Sequence, residues 1–256
     1  MLSWSAKRKF VYISWTVFII VFLLGILLVF NLYTPATCFD GKQNQDELGI
    51  DCGGACSLLC EKPSQPITMH FSRVFEIKEG VFSVFAYIEN PNRDVSASEV
   101  PYDFKLYDSK NILVYSGSGK FNLPAGRAIG IFESGLRLGD RNPIRADFNI
   151  YSDQAVWKKS EPQILAIYPR DTKISQDQSG SKVNAEFVNR GETNITDLNV
   201  VAILYDNLNN AIGVSKTIVT DFSSGSVRTL IFTWPQNFIT TPSRTDYLYW
   251  VDSGSF

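Results

Sequence analysis

The 256-residue chain has one histidine, His70, and two methionines. A histidine-rich metal centre is thereby excluded, and imidazole acid–base chemistry has a single candidate. Positive charge is not in excess: 24 Lys and Arg stand against 26 Asp and Glu, for a formal net charge of -2. The basic surface that displaces counterions from a polyanion is missing, which rules against a nucleic-acid partner. No cysteine falls beyond residue 60, so no later domain is pinned by a disulfide. There is no G-x-S-x-G elbow, Walker loop or dinucleotide fingerprint. Past residue 60 no stretch shows a convincing helical period. A protein that is not an enzyme, with no catalytic residue, is expected. Two carboxylates on distant strands could serve a glycosidase and leave no motif.

What is present begins with an uncharged run of 21 residues, Phe10 to Phe30. At ~1.5 Å per residue a helix of that length spans the hydrocarbon layer of a bilayer. Lys7, Arg8 and Lys9 precede it, and the far side has no Lys or Arg until Lys42. Positive charge stays inside, so the expectation is an N-in, single-pass plasma-membrane protein. Residues 1–9 would be cytoplasmic, 10–33 would span and contact lipid, and the rest would be extracytoplasmic. A cleaved signal peptide is the rival, but its apolar region is usually ~7–15 residues long and ends at a small-residue site. The exit here reads Tyr33-Thr34-Pro35-Ala36-Thr37.

Residues 34–63 form a cysteine module and linker. Cys38, Cys52, Cys56 and Cys60 stand in a segment too short to bury a core, so cross-links must hold it. An all-cysteine zinc site is the competing reading, but the spacing lacks paired C-x2-C knuckles. Disulfides suit an exported location. Four cysteines allow three connectivities and the sequence does not choose among them. Cys38–Cys56 with Cys52–Cys60 is the pairing whose crossing bridges the Gly53-Gly54 turn would permit. Asp40, Asn44, Asp46, Glu47 and Asp51 supply hard oxygens and make a candidate calcium site, the one cofactor the sequence suggests. Turn formation and capping by Asp and Asn is the competing reading.

Two copies of one unit follow, at 64–156 and 161–256, joined through Lys158-Lys159-Ser160. Phe71, Arg73 and Ile77 recur as Tyr168, Arg170 and Ile174; Asn90 recurs as Asn189. Leu106-Tyr107-Asp108 recurs as Leu204-Tyr205-Asp206, and Phe148 as Tyr247. Val183, Ala185 and Phe187 alternate with Lys182, Asn184 and Glu186, which is the period of a half-buried strand, and their equivalents Val84, Ala86 and Ile88 put the same face inward in the first copy. Tyr102, Phe104 and Leu106 align with Val200, Ala202 and Leu204. Short strands with regular turns predict a mainly β chain with two tandem immunoglobulin-like β-sandwiches behind the helix and the disulfide module. The short connection predicts a semi-rigid stalk.

The cysteine segment resembles the C-x-D-G…D-C-G-G-x-C modules of prokaryotic surface proteins through Cys38, Asp40, Gly41, Asn44, Glu47, Asp51, Cys52, Gly53, Gly54 and Cys56. Phe104, Leu106, Tyr107 and Asp108 resemble the signature of the FxLYD domains of such proteins. In the second copy Ala202 replaces the Phe, and Leu204, Tyr205 and Asp206 remain. The resemblance implies a secreted or anchored sandwich with an interaction or structural role. The expected function is therefore a structural or protein-binding role at the cell envelope, with envelope or surface proteins as partners. The alternative is an accessory subunit, sensor or enzyme component that presents a polymer- or partner-binding site. Asn194-Ile195-Thr196 also fits the N-glycosylation pattern.

Overall fold

A computed structural model describes residues 4–32, 37–44, 46–61, 63 and 65–252. The side chains of residues 5–7 and 31–32 are not described. The chain divides into two compact units, Met1–Cys56 and Ser57–Phe256.

The first unit holds α1 (Trp4–Leu32) and most of the cysteine module. Arg8–Phe30, 23 residues, is long and apolar enough to cross a membrane, and none of it is buried against protein. A helix apolar on every face has no preferred side to hide in a soluble core. Part of the 10–33 span, Tyr33, and the Pro35-Ala36 exit lie outside the described residues.

The second unit is antiparallel β throughout. Its first half contains β1 (Thr68–Lys78), β2 (Val81–Glu89), β3 (Val95–Tyr107), β4 (Leu113–Leu123), β5 (Ala128–Arg137), β6 (Arg145–Ile150) and β7 (Val156–Lys159). Its second half contains β8 (Ile167–Asp177), β9 (Gly180–Asn189), β10 (Ile195–Tyr205), β11 (Ala211–Phe222), β12 (Val227–Trp234) and β13 (Arg244–Val251). Each half makes two sheets with matching orders: β1-β2-β5 over β4-β3-β6, and β8-β9-β12 over β11-β10-β13. The matching orders give the sequence repeat a structural counterpart. β7 is an addition to the first half. It pairs with the start of β3, and Ser57 and Leu59 pair in turn with β7. Lys158 and Lys159 therefore belong to a strand rather than to a linker, and the connection is residues 160–166.

The expected inward alternation holds. Tyr102, Phe104 and Leu106 are buried in the first half, and Val200, Ala202 and Leu204 in the second. β10 departs from simple alternation, because Val201, Ile203 and Tyr205 on its other face are buried too. They belong to the core of the first half, together with Ala211, Val214, Leu248 and Trp250. On the first half's side, Ser72 Oγ donates to the Ala146 carbonyl across the sandwich, so the Ser72–Ala86–Ile131 face looks inward. The opposite face of that sheet carries Phe71, Phe85, Tyr87 and Phe132, and it meets the second half. Phe85 is wholly buried there, seated where a Cβ on Gly130 would come within 2.3 Å of its ring. The two sandwiches thus pack sheet against sheet, in four layers, instead of standing end to end as a stalk. Where a second apolar face exists it is buried by the neighbouring half, as the hydrophobic effect requires.

Candidate functional site

In the cysteine module Cys38 and Cys56 are joined, with S–S 1.98 Å and Cα–Cα 5.6 Å. Cys52 and Cys60 are also disulfide-bonded, and none of the four cysteines is free. The acidic residues expected to gather round a cation are used locally. Asp40 Oδ1 accepts from the Lys42 amide, and its Oδ2 accepts from Asn44 Nδ2 at 2.8 Å. These bonds, the Asn44 one foremost, hold the Asp40 carboxyl below its ordinary pKa. Asp51 accepts from the amides of Asp40 and Gly41. Buried Glu47 accepts from the amides of Asn44 and Asp51. Asp46 is exposed. This is the turn-and-cap arrangement. Asn44 Oδ1 is buried without a hydrogen-bond partner. Cys38, Glu47 and Cys56 bring ligand-type atoms within 4.8 Å of one another, but disulfide sulfurs offer no thiolate. For the same reason the 3.1 Å approach of Cys56 Sγ to Glu47 Oε1 is a contact, not a donated bond.

The residues of the Phe-x-Leu-Tyr-Asp segment and of its repeat are split by role. Leu106 and Leu204 are fully buried in the two cores. Phe104 stacks on Phe148 at 5.4 Å and lies over Gly117. At the equivalent place in the second half Ala202 pairs with Tyr247, whose ring meets Phe187 edge-on at 5.0 Å. Tyr107 lies under the Arg145 guanidinium at 4.5 Å, and Tyr205 under Arg244 at 4.4 Å. Asp108 accepts from the amides of Lys110 and Ile112, and Asp206 from those of Leu208 and Asn210. Asn111 and Asn209 take positive φ in these turns, the type I turn plus bulge of a three-residue hairpin.

Asn90 and Asn189 recur in the sequence with no role legible there. Both are completely buried clamps. Asn90 Nδ2 donates to the carbonyls of Val95 and Pro124; Asn189 Nδ2 donates to those of Thr193 and Phe222. Each ties the loop after its strand to the end of a distant strand. His70 pairs with Glu89 at 2.7 Å on the surface and rests on Tyr87 at 4.5 Å. Asn194 of the sequon is exposed, and its Oδ1 accepts from the Ser224 amide.

Among the described residues, two concavities open along the seam between the sandwiches. The smaller, about 240 Å3, is lined by Tyr102, Glu133, Lys120, Lys216, Trp250 and Asp252. Tyr102 Oη donates to Glu133 at 2.5 Å, and burial, followed by that bond, pushes the phenol pKa up. Burial lowers the pKa of Lys216, whose ammonium lies 5.4 Å from the Trp250 ring, although Asp252 and Glu133 oppose the shift. Asp252 is itself held by Asn199 and the Trp250 indole. The larger is a groove of about 570 Å3 between β1 and β11, closed by residues 233–240. That volume is in the range of binding sites, ~300–1,000 Å3. Residues far apart in sequence meet in it, so no local motif announces it.

No family model matches the chain, and no curated protein matches it. Among solved structures it is similar to the N-terminal CBM22-1-CBM22-2 tandem domain from Paenibacillus barcinonensis Xyn10C. The identity is 7% and the TM-score 0.16, with 79% of this chain and 93% of that one covered. A TM-score that low supports no inference about this chain.

Proposed function

We propose that this chain is a single-pass, N-in membrane protein of the cell envelope. Its paired sandwiches, of the FxLYD type, serve a structural or protein-binding role outside the membrane. The observation that carries the reading is the conjunction of an unburied apolar helix with a disulfide-held module only a few residues further on. Disulfides persist where thiols are oxidised, which is the extracytoplasmic side. The charge asymmetry around the helix supports the same orientation. The interfacial groove favours a role in presenting a binding site to a partner, the accessory-subunit version of the reading. No reaction is assigned.

Protease added to intact spheroplasts, followed by alkaline carbonate extraction, tests this. The reading expects digestion of residues beyond about 40 from outside and retention of the uncut chain in the membrane. A protected β region reverses the topology, and a mature terminus near Ala36 shows a cleaved signal instead of an anchor.

A further inference from the structure

We propose that the groove between β1 and β11 binds an extended peptide segment of a partner protein, apolar at alternate positions, by strand addition. The proposal rests on the partner-binding role above and names what that role would bind.

The groove is bordered by strand edges. Among the described residues β1 forms a ladder only with β2, and β11 only with β10. Each therefore turns its second row of main-chain donors and acceptors outward; on β11 one acceptor of that row, the Val214 carbonyl, is already taken by the Trp234 indole. Consecutive residues of both strands line the groove, 73–77 of β1 and 211–216 of β11. Side chains of one sheet face would line it at every second position; an unbroken run means that the edge itself borders the space. A ligand that satisfies such rows along its own length is another extended backbone.

The rest of the lining supplies apolar seats. Phe75 and Phe132 form the floor and adjoin the core shared by the sandwiches, to which Ala211 and Val214 also belong. An occupant therefore extends a core already formed. The far wall is the end of β12 and the loop that follows it. The Trp234 indole donates to the Val214 carbonyl, and its ring meets Phe238 edge-on at 5.3 Å. Both rings rest over Gly213, where a Cβ would come within 2.5 Å of Phe238. At the lip of that loop Ile239 is completely exposed, an apolar side chain with nothing over it. The charges at the groove are mixed, with Arg73, Glu76 and Lys216, so no polyanion is selected.

The test uses the full chain in nanodiscs and a soluble library of random dodecapeptides. Peptides selected by binding are then measured by hydrogen exchange and against two variants, Ser134→Trp, which fills the groove, and Ile239→Asp, which charges its lip. Both positions are exposed, so the fold is kept and unchanged melting verifies it. The expected result is enrichment of alternating apolar sequences, slowed exchange at 73–77 or 211–216, and affinity weakened at least about tenfold in each variant, as for loss of a contact at the centre of an interface. The proposal is overturned if no peptide is enriched, if enriched peptides bind both variants undiminished, if neither edge gains protection, or if neutral oligosaccharides occupy the groove. None of these outcomes touches the anchored topology, which the protease experiment decides separately.

Discussion

At the residue scale the two repeats divide their labour in the same way. In Leu-Tyr-Asp the Leu fills a core, the Tyr lies under an Arg on the other face, and the Asp closes the hairpin. Leu106→Ala deletes a fully buried side chain and should destabilise the protein by about 2–5 kcal/mol in chemical denaturation. Asp206 has a different dependence. Backbone hydrogen bonds, chiefly from Asn210, lower its pKa below the ordinary 3.8. A depressed carboxyl stabilises the fold above its unfolded value and loses that contribution as pH falls through the folded value. Asp206→Asn keeps an accepting oxygen but no charge. The difference in melting temperature between the natural chain and Asp206→Asn should therefore shrink as pH drops below 3.8; a difference that stays constant removes Asp206 from the acid response.

At the element scale the informative strand is β10. Asn199 to Tyr205 reads as a nearly continuous apolar run, and continuous runs belong to strands buried on both faces. Period-two reading found Val200, Ala202 and Leu204 correctly and left Val201 and Ile203 unexplained. Their explanation lies in comparing the repeats. Val201 and Ile203 stand where the first copy has Asp103 and Lys105. Phe85 and Tyr87 stand where the second copy has Asn184 and Glu186. The apolar member of each pair sits in the seam. The polar member sits on an outer face, where Asp103 accepts from Tyr151 and Glu186 pairs with Arg170. Strand positions, hairpin turns and the apolar helix were thus legible, because each depends on neighbours in sequence. The Asn90 and Asn189 clamps and the groove were not, because their partners lie on separate strands and loops. The local capping bonds of Asp40, Glu47 and Asp51 were legible only as one of two readings, since residue type alone does not say whether an oxygen meets an amide or a cation. Asn189→Ala should leave the Thr193 and Phe222 carbonyls without their side-chain donor, at about 1–3 kcal/mol for each that stays buried, measurable by the same denaturation.

At the scale of the whole molecule, face-to-face packing replaces the semi-rigid, end-to-end stalk that a short connection suggests. The connection itself is clasped to β13, where Gln163 exchanges hydrogen bonds with Val251 in both directions. Across the seam Arg127 donates to the Tyr249 carbonyl at 3.3 Å, and Tyr87 lies close enough to Asp246 to feel its charge. Two domains that share a core unfold together, and two that merely touch unfold apart. The groove exists only while the sandwiches are packed, so this coupling underlies the proposed binding role as well. The direct measurement is calorimetric unfolding of the full chain beside the double variant Phe85→Asn, Tyr87→Glu, which gives the seam the polar residues of the outer face. Packing through a common core predicts one β-unfolding transition in the natural chain and two in the variant. Two independent transitions in the natural chain, with the variant shifting only one of them, would contradict it.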